Sequence, residues 1–308
     1  MRNQFAKSLV KQGKLDDSIF LVYGDIGNKL FDDFKASYES RFVNAGVAES
    51  SMVTMAAGLA KNGFKPIVYT INSFLYLKAL EQIKIDVCYP NLPVILVGTG
   101  GGLGYSELGT THHSLEDVGI LTTLPNLQVL VPSDIFEVDY ALNWAVQSNK
   151  PTYIRIGKKE NEPLHSNFIG NQKKEFGPFK INEVSNAKLA IVSYGSISIE
   201  VAKALTNLPV EIQLEHWTFP CVKPILKSQI QNLTNYETLF VVEEHTSFGG
   251  LSSVLLSAFN SLSLRTPNIL SLNTGDRFHT GLGGIESARD QLGLHHSDIT
   301  KFIRDKIA

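Results

Sequence analysis

Short β-branched runs separated by helix-length segments restrict the possible folds of this chain more than any other feature. SIFLVYG (18–24), RFVNAG (41–46), PIVYTI (66–71), LPVILVGT (92–99), LQVLVPS (127–133) and PTYIRIG (151–157) are apolar on both faces. Strands of that kind belong in a sheet covered by helices on both sides, and the long connections make neighbours parallel. Residues 158–186 are polar, with glycine, proline and clustered charge, the composition of a connecting segment. The alternation then resumes with KLAIVSYG (188–195), VEIQLEHW (210–217), LFVVEEH (239–245) and NILSLN (268–273). The expected fold is α/β with two doubly wound domains: a mainly parallel-sheet domain over 1–160, a linker over 161–186 and a smaller α/β domain over 187–308.

A formal net charge of -2 with no long run of one sign leaves no electrostatic footprint for nucleic acid or an anionic membrane. No apolar window approaches the length of a membrane span and the N-terminal stretch lacks a signal-peptide core, so a cytoplasmic protein is expected. The two cysteines, Cys88 and Cys221, are far apart and outside any metal-site spacing, which reads as reduced core thiols.

Three stretches carry candidate chemistry. GTGGGLG (98–104) follows a strong strand, but Leu103 stands where a dinucleotide fingerprint needs glycine. The run is expected to supply backbone N–H groups and space at the strand end where open α/β sheets bind ligands. THHSLED (111–117) places His112 and His113 ahead of a helix expected to be capped by Ser114 with Asp117 reaching back, so that one histidine can donate to a substrate oxygen. In GVAESSM (46–52) Glu49 stands at a helix start with no basic residue within four positions. A carboxylate buried there without a cation tends to stay protonated near neutrality and then donates a hydrogen bond.

GVAESSMVTMAAGLAKNGFKPIV, NSFLYLKALEQIKIDVCYPNLPV, ELGTTHHSLEDVGILTTLPNLQVLVPSD and KPTYIRIGK, in this order and spacing, resemble the pyrimidine-binding domain of transketolases. VVEEHTSFGGLSS and GDRF resemble that family's C-terminal domain. The resemblance implies thiamine diphosphate as cofactor. Glu49 would bond N1′ of its aminopyrimidine and so promote loss of the thiazolium C2 proton, with Phe74 stacked on the ring and Gln82 and Asp25 on the cofactor side. His112 matches the family histidine that contacts substrate hydroxyls, and His113 takes the next place.

The family's Gly-Asp-Gly segment for Mg²⁺ and diphosphate is absent from the chain. The resemblance is thus to the C-terminal subunit of a split transketolase, with Mg²⁺ ligands supplied by a separate N-terminal subunit in an α2β2 heterotetramer. At the substrate end Gly100 and Leu108 replace a histidine and an acidic residue, which is expected to widen the mouth. Lys158 stands where many members have a phosphate-binding arginine, leaving Lys158 or Arg155 to meet a phosphate. The implied reaction is transfer of a two-carbon ketol unit to a sugar acceptor other than the ordinary ones, such as a nucleotide-activated keto sugar. A 2-oxoacid dehydrogenase β-subunit or a deoxyxylulose-phosphate-synthase-like enzyme shares the cofactor and the glutamate, and a catalytically silent scaffold subunit is the reading from another class.

Overall fold

The computed structural model describes residues 1–308 apart from 28, 160–162, 165–175, 210, 282 and 308. Six parallel strands form the body of the first sheet: β1 (Ile19–Tyr23), β2 (Phe42–Asn44), β3 (Lys65–Ile71), β4 (Ile95–Thr99), β5 (Gln128–Leu130) and β6 (Thr152–Ile156). The second sheet holds β7 (Phe179–Lys180), β8 (Leu189–Ser193), β9 (Leu214–Thr218), β11 (Thr238–Val242) and β12 (Asn268–Leu272). Every strand expected from the apolar runs is present, and those of the first sheet except β2 are buried on nearly every residue, as helices on both faces require.

Two antiparallel strands depart from the expected pattern. β7 lies inside the stretch expected to be linker and pairs with β9; residues 161, 162 and 165–175 of that stretch fall outside the described residues. β10 (Cys221–Lys223) lies within the second domain's sequence range, yet it pairs with β5 and completes a seven-stranded first sheet in the order β10-β5-β6-β4-β3-β1-β2. Both cysteines are free and buried, and burial pushes both thiols up to about 12. Among the described residues no helix is long and apolar enough to cross a membrane.

The carboxyl ends of β1, β3, β4 and β6 define one edge of the first sheet, where chain connections change direction. The helix Glu49–Lys61 starts there after β2, the helix Asn72–Lys78 follows β3 directly, and the glycine-rich loop follows β4. Open sheets bind ligands at this edge.

Candidate functional site

Glu49 is the first residue of its helix and only 5% exposed. The preceding backbone turns at Gly46, whose φ of 72° is left-handed and open to glycine at no steric cost. The Thr70 hydroxyl at the end of β3 donates to Oε1 at 3.4 Å. The expected isolation from cations does not hold, because Lys78 places its Nζ 3.4 Å from Oε2. The sequence window around Glu49 could not show this, since Lys78 arrives from the next helix.

The Lys78 ammonium also lies 4.2 Å from the centroid of the Phe74 ring. Phe74 and Lys78 are four residues apart on one helix and therefore share a face. The Ser50 hydroxyl donates to the Lys78 carbonyl at 2.7 Å, tying that helix end to the helix of Glu49. His112 also meets Phe74, edge to face, with ring centroids 5.0 Å apart and planes at 61°. The Thr111 hydroxyl sits 2.9 Å from its Nδ1 and fixes the ring. Burial, opposed by Glu107 and reinforced by Lys78, holds the His112 pKa below the ordinary histidine value of 6.5, so the ring is neutral at neutral pH. Glu49, Phe74 and His112 thus form one corner, and Lys78 occupies its middle.

Gln82 follows on the same side of the first sheet, and its Oε1 is buried without a hydrogen-bond partner. Asp25 is exposed in the loop after β1, its backbone N–H donating to the Gly46 carbonyl at 3.1 Å. His113 points the other way. It is 4% exposed and stacks on His279 of the second domain at 5.6 Å, with the Ser106 backbone beside it. The Thr110 hydroxyl donates to the His279 carbonyl at 2.9 Å, so this pair closes the seam between domains.

The glycine-rich loop departs from expectation. Its N–H groups are consumed: Gly100 and Gly101 donate to the Ile156 carbonyl, Gly102 to Ser114, Gly104 to Gly101, and Leu103 to Glu244 Oε2. Nor is there space. A Cβ on Gly98 would stand 1.8 Å from Asn72 Oδ1, on Gly100 2.1 Å from the Tyr105 ring, on Gly101 2.3 Å from Arg155 and on Gly102 2.1 Å from Glu244. The glycines exist because the side chains of Asn72, Tyr105, Arg155 and Glu244 crowd the loop. Tyr105 fills the place of the side chain missing at Gly100, so the mouth is not simply widened there. Leu108 is 52% exposed beside it.

Ser114 does not cap a helix. Its backbone bridges Gly102, and the helix Asp117–Thr122 starts three residues later. The Asp117 carboxylate is fully buried, accepting from Asn72 Nδ2 at 2.7 Å and Arg155 Nη1 at 3.0 Å, with the Tyr153 hydroxyl 2.5 Å away. Arg155 is 4% exposed, and its second Nη donates to the Glu244 carbonyl. It is locked into the interior and does not reach the mouth, correcting its expected role toward a phosphate. Lys158 remains at the surface, paired with Glu107 and 4.5 Å above the Tyr105 ring. That ion pair holds the Glu107 carboxyl below the usual range. Lys158 and Glu107 line a cleft whose far wall carries Lys203 and Arg289 of the second domain.

Residues 1–163 match the family model described as "Transketolase, pyrimidine binding domain", and residues 180–278 match "Transketolase, C-terminal domain". The chain is 32% identical over 251 residues to one of the subunits of the apulose-4-phosphate transketolase of Actinobacillus succinogenes, covering 80% of this chain and 78% of that protein. It is 30% identical to the 1-deoxy-D-xylulose-5-phosphate synthase of Clostridium acetobutylicum, where 92% of this chain spans 45% of the relative. Among solved structures it superposes with a TM-score of 0.84 on a split gene transketolase described as an inactive beta4 tetramer, at 24% identity, covering 99% of this chain and 96% of that one.

Proposed function

The chain belongs to the transketolase family, and from that premise we propose that it is the pyrimidine-binding subunit of a two-part, thiamine-diphosphate-dependent transketolase. The observation that carries this reading is the corner at the sheet edge: a buried glutamate at a helix start, a phenylalanine face and a neutral histidine, all within reach of one ligand. The unpartnered Gln82 Oε1 is a further buried polar atom left for a ligand to satisfy.

Bound thiamine diphosphate would supply an electron sink that makes a two-carbon ketol unit transferable. Glu49, itself 5% exposed, would hold the proton shared with the pyrimidine N1′. Thr70 orients the carboxyl group, and Phe74 supplies the stacking face. His112, kept neutral by burial, offers one ring nitrogen to a substrate hydroxyl while Thr111 holds the other. Asp25 remains a candidate on the cofactor side, and His113 a wall of the site and not a contact.

Among the described residues, two groups of side chains lie close enough to share a cation, Glu200 with His295 and His296 and Asp290 with His295 and Asp298, all in the second domain. The reading assigns Mg²⁺ and the diphosphate to a separate N-terminal subunit, in an assembly of two copies of each. The name of the Actinobacillus relative, one subunit of an enzyme for apulose 4-phosphate, supports both a partner and a phosphorylated sugar of uncommon skeleton. Of the two cations expected to meet the phosphate, Arg155 is buried and Lys158 takes that part. Tyr105, Gly100 and Leu108 shape the space above it for an acceptor less hydroxylated than ribose 5-phosphate.

The test is reconstitution with the neighbouring N-terminal subunit, Mg²⁺ and thiamine diphosphate, followed by ketol transfer from hydroxypyruvate to a panel of aldose phosphates. Transfer that requires both chains and is lost in Glu49→Gln is expected. Turnover by this chain alone, or a rate indifferent to Glu49, would overturn the reading; release of carbon dioxide from pyruvate in preference to ketol transfer would move it toward the synthase-like relatives.

A further inference from the structure

Lys78 has no role in the reading above, yet it stands at the centre of the corner. Its ammonium lies 3.4 Å from Glu49 Oε2 and 4.2 Å from the Phe74 centroid, and it is close enough to His112 to depress that histidine's pKa. One small cation therefore touches the groups to which the aminopyrimidine is assigned. The contacts also match in kind. A ring face that stacks on a heteroaromatic ring attracts a cation equally well, and a carboxyl group that meets ring nitrogens accepts from an ammonium.

These two occupants exclude each other. The Nζ lies 4.2 Å from the Phe74 centroid and 3.4 Å from Glu49 Oε2, and a ring stacked on Phe74 while bonded to that carboxyl group would need the same space. Lys78 is free to leave, because its side chain is 50% exposed whereas Glu49 is 5% exposed. Its backbone is held by Ser50, so departure requires only rotation of the four-carbon stem into solvent. We propose that in the cofactor-free chain the Lys78 ammonium is a place-holder for the aminopyrimidine, covering the Phe74 face and pairing Glu49 until the ring displaces it. The proposal rests on the assignment of Glu49 and Phe74 as the pyrimidine seat and adds that cofactor entry is a competition with a residue of this same chain.

Without the lysine, the buried Glu49 carboxylate would keep, among the described residues, its long contact to Thr70, at a desolvation cost. Lys78 supplies a partner that is removable, since its half-exposed ammonium recovers hydration on leaving and its exposed cation–π contact is weak. The neutral aminopyrimidine alcohol that forms one half of thiamine is the suitable probe. It needs no diphosphate site, and its lack of charge removes simple repulsion by lysine from the comparison.

Its affinity for the full chain is measured by ligand-observed NMR on wild type, Lys78→Ala, Lys78→Met, Phe74→Ala and Glu49→Gln. Removal of the ammonium is expected to tighten binding by about tenfold in both Lys78 variants, and Phe74→Ala to abolish it. Acetylation of Lys78 by acetic anhydride, mapped by mass spectrometry, is expected to rise when the pyrimidine is added. Equal or weaker binding by both Lys78 variants, with Phe74→Ala still abolishing it, would overturn the place-holder and leave the seat intact. Binding indifferent to both Phe74 and Glu49, or no binding by any variant, would overturn the seat and the place-holder together.

Discussion

Two polar regions share the carboxyl edge of the first sheet, and they are built on opposite terms. Along the domain seam Asn72, Asp117, Tyr153, Arg155, Glu244 and Arg289 are buried, and each carboxylate and guanidinium among them has partners at 2.5–3.0 Å. In the corner of Glu49, Phe74 and His112 the contacts to the carboxylate are both 3.4 Å, the cation is half-exposed, and Gln82 Oε1 is unmet. Seen as sequence, the seam has more charge and more glycine and looks like the active region. Among the charged groups, loose pairing, not charge density, separates a site awaiting a ligand from a joint already closed.

The largest effect that would sharpen this contrast is Asp117→Asn. It leaves the buried Arg155 guanidinium short of its counter-charge, and breaking a buried pair in this way costs about 3–5 kcal/mol. Chemical denaturation should register a loss of that size, and a loss under about 1 kcal/mol would show that the seam is wetter than its geometry implies. Glu49→Gln should do the reverse. The fold should be unaffected, while ketol transfer by the reconstituted enzyme falls by about 10² or more, the range for a positioned proton-transfer group. Thiazolium C2 deuterium exchange at the wild-type rate in that variant would remove Glu49 from the role.

Gly98→Ala is expected to cost about 1–3 kcal/mol by overpacking against Asn72, with substrate affinity unchanged. A variant with unchanged stability and reduced substrate affinity would return the loop to the binding role the sequence suggested. The smallest effect concerns acid. Burial lowers the pKa of both His113 and His279 below 6.5, with the Ser106 backbone partly opposing this at His113 and Arg277 adding to it at His279. The unfolded chain therefore takes up protons before the folded one, and stability declines as pH falls through about 6.5. Melting temperatures between about pH 8 and pH 5.5 should follow that slope, and His113→Asn should flatten it.

The parallel strands were legible because burial on both faces leaves a continuous apolar run in the sequence. β7 and β10 were not, since two- and three-residue antiparallel edges leave no pattern distinguishable from loop. Glu49 was legible from burial of its helix start. Lys78 was recoverable in principle from its spacing to Phe74, four residues along one helix, but its convergence on Glu49 is a tertiary fact. Ser114 misled because SLED caps a helix only if the backbone before Asp117 is free to coil, and here it is held against Gly102. Arg155 misled because a cation at a strand end reads alike whether it faces the mouth or the seam.

β10 gives the two halves of the chain a common fate. The polypeptide leaves the first sheet, builds β7, β8 and β9 of the second, and returns to lay Cys221–Lys223 along β5 before finishing the second sheet with β11 and β12. A chain severed near the expected linker would expose β5 as a bare edge open to pairing with any passing strand, and the remaining half would carry an orphan β10. Although two family models divide the sequence, its modules are interlaced, and they should melt as one cooperative unit and resist being exchanged between relatives at that boundary.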